Sequence, residues 1–241
     1  MTPLPISGYV LAGGRSSRMG RDKALIELAG KPLIEHAVTK LRRVCTEAHI
    51  LAGAEGEHAG LAQYAPLVHD LHPGCGPVGG FEAALKQSGF EWNLFLPVDI
   101  PFLPSALLDD WVRATLRDAS RGARIAMFTV DGLPQGVLAL LHREVLPSVV
   151  DAVASQRLKV FPVLEDAGRE LAAKQGMPLE TVFRNVCWGG FPSKEGRPVP
   201  RREPWQFITE AQRAAERLWF ANLNTPEDLV EAEANVDALD T

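Results

Sequence analysis

A chain of 241 residues with 46% hydrophobic side chains can bury a full core, and it fits one α/β domain over residues 1–241 better than a string of small modules. Its 25 basic and 30 acidic residues leave a formal charge of −5 and a pI near 5.7, which argues against non-specific binding to nucleic acid or to an anionic membrane. Three cysteines without a C-x-x-C pair, no basic apolar leader over Met1–Val10 and no run of ~18 apolar residues suit a reduced cytoplasmic protein rather than a disulfide-stapled, zinc-ribbon or membrane-spanning one.

In chain order, Ile6–Leu11 reads as a first strand that runs into Gly13-Gly14-Arg15-Ser16-Ser17-Arg18-Met19-Gly20-Arg21-Asp22-Lys23. Pro32 opens a helix whose Leu33, Ile34, Ala37, Val38, Leu41 and Val44 recur at helical spacing. Ala48–Ala52 and Leu67–His69 read as short strands, and Val78–Gln87 as a helix after the turn-rich Pro73-Gly74-Cys75-Gly76-Pro77. Asn93–Leu96 reads as a buried strand that stops at Pro97-Val98-Asp99-Ile100-Pro101. The prolines end the ladder and project Asp99 off the strand end, where ligands sit in open α/β sheets.

Pro104–Leu116 reads as a helix with Asp109 and Asp110 on a solvated face. Ile125–Val130 and Val137–Leu141 are apolar runs that a turn-rich connector could close into an antiparallel pair at a sheet edge, making the sheet mixed. Glu144–Ala154 continues as a helix, and Arg157–Leu164 is open between helix and strand. From Gly168 the pattern weakens, and Gly189–Arg202, rich in proline, glycine and basic residues, reads as a loop or lid. Gln206–Leu218 reads as a helix, Trp219–Asn222 as a late strand, and Thr225 as the N-cap of a last helix with Pro226 at its first position and Asp228 in capping-box position.

The first loop is built to hold phosphates. Its glycines bring backbone N–H groups close to a ligand, and Arg15, Arg18, Arg21 and Lys23 gather positive charge on an otherwise acidic protein. The spacing fits neither G-x-x-x-x-G-K-[ST] nor G-x-G-x-x-G. His69-Asp70-Leu71-His72 lacks a complete ligand set for zinc.

Leu11-Ala12-Gly13-Gly14, Ser17-Arg18-Met19-Gly20 and Asp22-Lys23 resemble the opening motif of the molybdenum cofactor nucleotidyltransferases, and of the guanylyltransferases among them in particular. The resemblance covers Ile6 to about Leu164 and returns at Trp219–Glu231, which leaves an insertion at about 168–218. It implies a three-layer, Rossmann-like α/β fold with a mostly parallel mixed sheet, of nucleotide-diphospho-sugar transferase type. It implies transfer of GMP from GTP to molybdopterin with Mg²⁺, release of pyrophosphate, and delivery of the product to molybdoenzymes or cofactor-delivery proteins. Under it, Lys23, Arg18 and Asp99 are catalytic, Asp99 binds the metal, and Leu11, Ala12, Gly13, Gly14, Lys23, Asp70 and Asp99 bind the nucleotide. Asp70 would accept hydrogens from N1 and the 2-amino group of guanine. Gly79, Gly80, Asn222 and Asn224 would lie on the acceptor side. The acceptor is a phosphate monoester whose second pKa is about 6, so no strong base is required.

Two departures are visible. The guanylyltransferases tend to place a nucleoside-contacting asparagine after the second strand, where this chain has Leu51-Ala52-Gly53-Ala54, and a proline where it has Gln135-Gly136. CTP-dependent transfer to the same cofactor is therefore the nearest alternative. A sugar-phosphate nucleotidyltransferase and a nucleotide-binding module without turnover stand behind it.

Overall fold

The computed structural model describes residues 2–12, 22–188 and 207–240. Among these, seven strands form one sheet in the order β5-β4-β1-β6-β8-β7-β9: β1 Leu4–Leu11, β4 Cys45–Leu51, β5 Leu67–Val68, β6 Trp92–Pro97, β7 Ile125–Val130, β8 Leu133–His142 and β9 Phe183–Trp188. Only β8 runs against its neighbours; the other pairings are parallel. A two-stranded ribbon, β2 Glu27–Leu28 and β3 Lys31–Pro32, leads into helix α1, Leu33–Val44. The remaining helices are α2 Gly76–Gln87, α3 Ser105–Ala119, α4 Leu146–Ala154, α5 Val160–Gln175, α6 Leu179–Val182, α7 Glu210–Ala214 and α8 Pro226–Glu233.

The period-2 alternation of β1 sorts its side chains into two cores. Ile6 and Val10 face α1 and α3 with the C-terminal segment, whereas Tyr9 faces α2, α4 and α5. Leu94 and Leu96 of β6 join the first core and Phe95 the second, so both faces of the sheet are covered. The result is three layers. At Gly8 a Cβ would stand 2.8 Å from Cys45 Sγ and 3.1 Å from the Leu41 methyls, so glycine is what lets α1 lie close on the sheet.

Several expectations are corrected. The pair β7 and β8 is internal to the sheet, because β9 adds in parallel beyond β7 and takes the edge. The hairpin turns tightly at Asp131-Gly132, with φ of 46° and 80° between the partners Val130 and Leu133. Gln135 and Gly136 sit where the register slips between Met127↔Ala139 and Thr129↔Pro134, and a Cβ on Gly136 would meet Val160 at 3.0 Å. The stretch 157–164 resolves into a non-helical lead and the first residues of α5 from Val160, and residues 168–188 continue that helix, add α6 and supply β9.

Trp219–Asn222 is not a strand. Its backbone turns, with Ala221 N donating to Leu218 O at 3.0 Å, and its aromatic side chains pack on Trp188 and Phe128. The expected helix before it is a short α7 with a Thr209–Gln212 capping box, followed by a 3-10 turn at Glu216–Leu218. Asp109 is buried rather than solvated: it faces inward on α3 and binds Arg113 Nε at 2.8 Å, one helical turn on, while Asp110 is exposed. The basic stretch Gly189–Arg202 lies outside the described residues.

Candidate active site

The chain winds from β1 outward to β4 and β5, then returns to β6 on the other side of β1, so the carboxyl ends of β1 and β6 flank a topological switch point. There Ala12 N reaches Leu51 O and Val98 N reaches Leu11 O, each at 3.3 Å, which extends β1 by backbone pairing just beyond the ladder. Gly13, Gly14 and Arg18 follow and lie outside the described residues.

The chain re-enters at Asp22, which caps a 3-10 turn over Lys23–Leu25: Oδ1 accepts the Ala24 amide at 3.0 Å, and Oδ2 lies 2.6 Å from His58 Nδ1. That turn aims Lys23 across the sheet. Its Nζ donates to Asp99 Oδ2 at 2.6 Å and to Asn224 Oδ1 at 2.7 Å, with the Lys23 and Asp99 side chains 15% and 20% exposed. Partial burial makes this more than a solvated surface pair.

Asp99 is fixed from both sides in sequence. Val98 and Ile100 are buried beneath it, and its carbonyl accepts the Leu223 amide at 3.0 Å. That bond ties the end of β6 to the C-terminal segment. Leu223 is buried while Asn222 and Asn224 on either side of it are exposed, as alternation on an extended segment requires. Asn224 is held in turn by α8. Asp228 Oδ2 accepts the Asn224 and Thr225 amides at 2.7 and 2.8 Å, and Thr225 Oγ1 accepts the Asp228 amide at 3.2 Å. The Asn224 amide, ahead of the Thr225 amide and hydroxyl and the Lys23 charge, holds the Asp228 carboxyl below its ordinary pKa against a modest opposing burial. The sequence-level capping box is therefore also what carries Asn224.

Beside this cluster opens a cavity of about 940 Å3 whose lining includes Leu11, Leu51, Gly53, Glu57, His58, Asp70 and Gly80. Asp70 N donates to Gly53 O at 2.7 Å, which seats its carboxyl on the cavity wall. Burial first, then the charge of Glu57, pushes the Asp70 pKa up; His69 opposes and Glu82 adds. The first turn of α2 forms the adjoining wall. A Cβ on Gly79 would stand 2.9 Å from Cys75 Cβ, and one on Gly80 would stand 3.0 Å from Leu51 Cδ1 and 3.9 Å from Asp70 Oδ1. These two glycines, expected on the acceptor side, stand against Asp70. His72 is drawn away to Glu82, with Nδ1 2.8 Å from Oε2, and no cluster of three or more metal-binding side chains occurs among the described residues.

Sequence reasoning did not single out Glu57 or His58, nor the Asp22–His58 contact. Their partners are the Ala54 backbone and a residue 36 positions away, so no spacing signal marks them.

A lysine, a carboxylate and an amide gathered at the switch point of this sheet, next to an open cavity, place this chain among α/β proteins of the nucleotide-diphospho-sugar transferase fold. The comparisons with known proteins agree. The family model described as MobA-like NTP transferase domain matches residues 8–169. A molybdenum cofactor guanylyltransferase from Serratia proteamaculans is 34% identical over 185 residues, 75% of this chain and 89% of that protein. Among solved structures, molybdopterin-guanine dinucleotide biosynthesis protein A from Archaeoglobus fulgidus superposes with a TM-score of 0.68 at 22% identity, covering 97% of this chain and 100% of that one. A putative glucose-1-phosphate thymidylyltransferase from Bacillus anthracis gives 0.63 at 16% identity, over 98% and 97%. The chain belongs to the MobA-like NTP transferase family and is a nucleotidyltransferase. No described helix is long and apolar enough to cross a membrane.

Proposed function

We propose that this chain transfers GMP from GTP to the phosphate of a molybdopterin-type molybdenum cofactor, releases pyrophosphate and forms the guanine dinucleotide cofactor. The observation that carries the reading is the convergence of Lys23, Asp99 and Asn224 within 2.7 Å contacts at the switch point. The names of the relatives supply the base and the acceptor. The unpaired cysteines suit a reducing compartment, and we assign the reaction to the cytoplasm.

Nucleotidyltransferases of this family generally use a divalent cation, and the donor set fits one. Asp99 Oδ2 and Asn224 Oδ1 are hard oxygens that already converge on a single cationic atom, Lys23 Nζ. Mg²⁺ takes one or two protein carboxylates and completes its shell with phosphate oxygens and water, so Asp99 with Asn224 would hold it. When bound, it supplies positive charge across the phosphate oxygens.

The chain's own residues do the rest. Lys23, with Arg18, neutralises charge on the α-phosphate and on departing pyrophosphate, and the amides of Gly13 and Gly14 contact the nucleotide. Asp70 and the first turn of α2 orient the base. Asn222 stands beside Asn224 to orient the acceptor, whose phosphate is largely dianionic at neutral pH and attacks the α-phosphorus in line. Positioning and charge therefore carry the acceleration, and no side-chain base is needed. Pyrophosphate release from purified protein with Mg²⁺ and the molybdopterin cofactor tests this: release with GTP is expected. Release with CTP alone would assign cytidylyl transfer, and release with neither would overturn the reading.

A further inference from the structure

Glu57 leans over a glycine at the rim of the nucleoside cavity. A Cβ built on Gly53 would stand 2.7 Å from Glu57 Oε2, and Gly53 has φ +71°, so neither the space nor the backbone accepts an ordinary side chain there. The same oxygen accepts the Ala54 amide at 3.1 Å, and Glu57 N donates back to Ala54 O at 3.0 Å. Residues 54–57 thus close into a turn that holds Glu57, one of the residues lining the cavity, by its Oε2. Asp70 hangs from the same glycine by its bond to Gly53 O. Two carboxylates held by the adjacent residues Gly53 and Ala54 therefore line one cavity.

We infer that Glu57 acts with Asp70 as a base-reading residue, and that the pair selects guanine. The inference rests on the nucleotide reading of this cavity and deepens it. Ionised carboxylates only accept hydrogen bonds. Guanine offers N1–H and the 2-amino group on neighbouring atoms, enough donors for both. Cytosine sets N3 and O2 beside its single amino group, adenine sets N1 beside its own, and uracil flanks N3–H with carbonyls. With any of these, one carboxylate would face a lone pair rather than a donor; Glu57 is exposed, so the mismatch acts through repulsion and a lost hydrogen bond. Gly53 carries no side chain of its own to contact a base, and its bareness is what admits Glu57.

Calorimetric titration of GTP and CTP in Mg²⁺ onto the full chain, Glu57→Ala and Glu57→Gln is the test. Wild type should prefer GTP. Glu57→Ala should weaken GTP about tenfold, or about 1.4 kcal/mol, and should not weaken CTP, whose mismatched carboxylate it removes. Glu57→Gln keeps an acceptor for the Ala54 amide and should fall between, which guards against a folding defect in the alanine variant. A wild type that prefers GTP, with variants that keep its GTP-to-CTP ratio or lose both equally, would overturn the role of Glu57 and leave guanylyl transfer standing. A wild type that prefers CTP would overturn the guanine selection. Binding of neither nucleotide would remove the nucleotide reading of the cavity and this inference with it.

Discussion

Lys23 and Asn224 are 201 positions apart in sequence and 2.7 Å apart in space, with Nζ donating to Oδ1. The contact joins the 3-10 turn that follows Asp22 to the C-terminal segment, and Asp99 lies on the same ammonium at 2.6 Å. One cation thus assembles three stretches of chain that the sheet brings to a common edge.

If that convergence is catalytic, Lys23→Ala and Asp99→Asn should each lower kcat about 10²- to 10³-fold, the usual loss when a charge-stabilising group is removed from a transfer site. Asn224→Ala should cost less, about tenfold, and should raise the Mg²⁺ concentration needed for half-maximal rate. Pyrophosphate release with circular dichroism as a folding control reads all three. An Asn224→Ala enzyme with wild-type rate and wild-type Mg²⁺ dependence would reduce its contact with Lys23 to a structural one.

Asp228 should matter to both stability and activity. Its Oδ2 accepts the Asn224 and Thr225 amides, and its own amide donates to Thr225 Oγ1. Asp228→Ala removes the side-chain half of a capping box and should cost about 1 kcal/mol, or about 3 °C in Tm for a domain of this size. It should also lower kcat, because the segment bearing Asn224 loses its anchor. Asp228→Glu should recover most of both, since a glutamate at this position can also close the box. Loss of Tm with unchanged kcat would separate the cap from the site.

Much of this architecture is legible in the sequence because local pattern and tertiary role agree. The six apolar positions of α1 are all buried, the prolines around Asp99 do end β6, and Thr225-Pro226-Glu227-Asp228 does cap α8. The misreadings have a common physical origin, which is burial produced by a distant partner. Trp219–Asn222 is aromatic because it packs on Trp188 and Phe128, not because it joins a ladder. β9 carries little periodic signal because, as an edge strand, it buries only Phe183 among its residues. At the site, Lys23, Asp70 and Asp99 stand in motifs, whereas Glu57 and His58 become meaningful only once Gly53 and Asp22 are placed beside them.

The C-terminal segment is also fastened by a buried ion pair. Lys40 of α1, 2% exposed, donates to the Leu103 carbonyl and to Asp240 Oδ2, the latter at 2.5 Å. Asp240 further accepts from the Ser105 amide and hydroxyl and from Gln212 Nε2. Burial alone would push its pKa up, but Lys40 and Ser105 together hold it below the ordinary value. Asp240→Ala should cost about 3 to 5 kcal/mol, because it strands a buried ammonium. The paired change Lys40→Met with Asp240→Leu should cost clearly less. Urea melts read the difference, and an Asp240→Ala variant as stable as wild type would show that the ammonium finds solvent.

Stability should also fall on mild acidification, through two histidines whose protonation burial disfavours. His142 is buried against Trp92, and its Nδ1 accepts the Glu144 amide at 3.3 Å, which requires that nitrogen to be unprotonated. Burial, then the Arg124 cation, lowers its pKa against the opposing Glu144 and Glu91. Burial likewise lowers that of His49 against Glu47. The unfolded chain protonates such groups near ~6.5, so below that pH it binds more protons than the folded chain. Their contribution is complete above about pH 6.5 and is lost as pH falls through the depressed folded values. Asp70, with its raised pKa, acts in the opposite sense at lower pH, so the informative quantity is the difference between wild type and His142→Gln. Urea melts at pH 7.5 and 5.5, followed by the fluorescence of Trp92 and its neighbours, should give a lower midpoint at pH 5.5 in wild type and a smaller drop in His142→Gln. Equal drops in the two proteins would show that His142 is not the group that titrates.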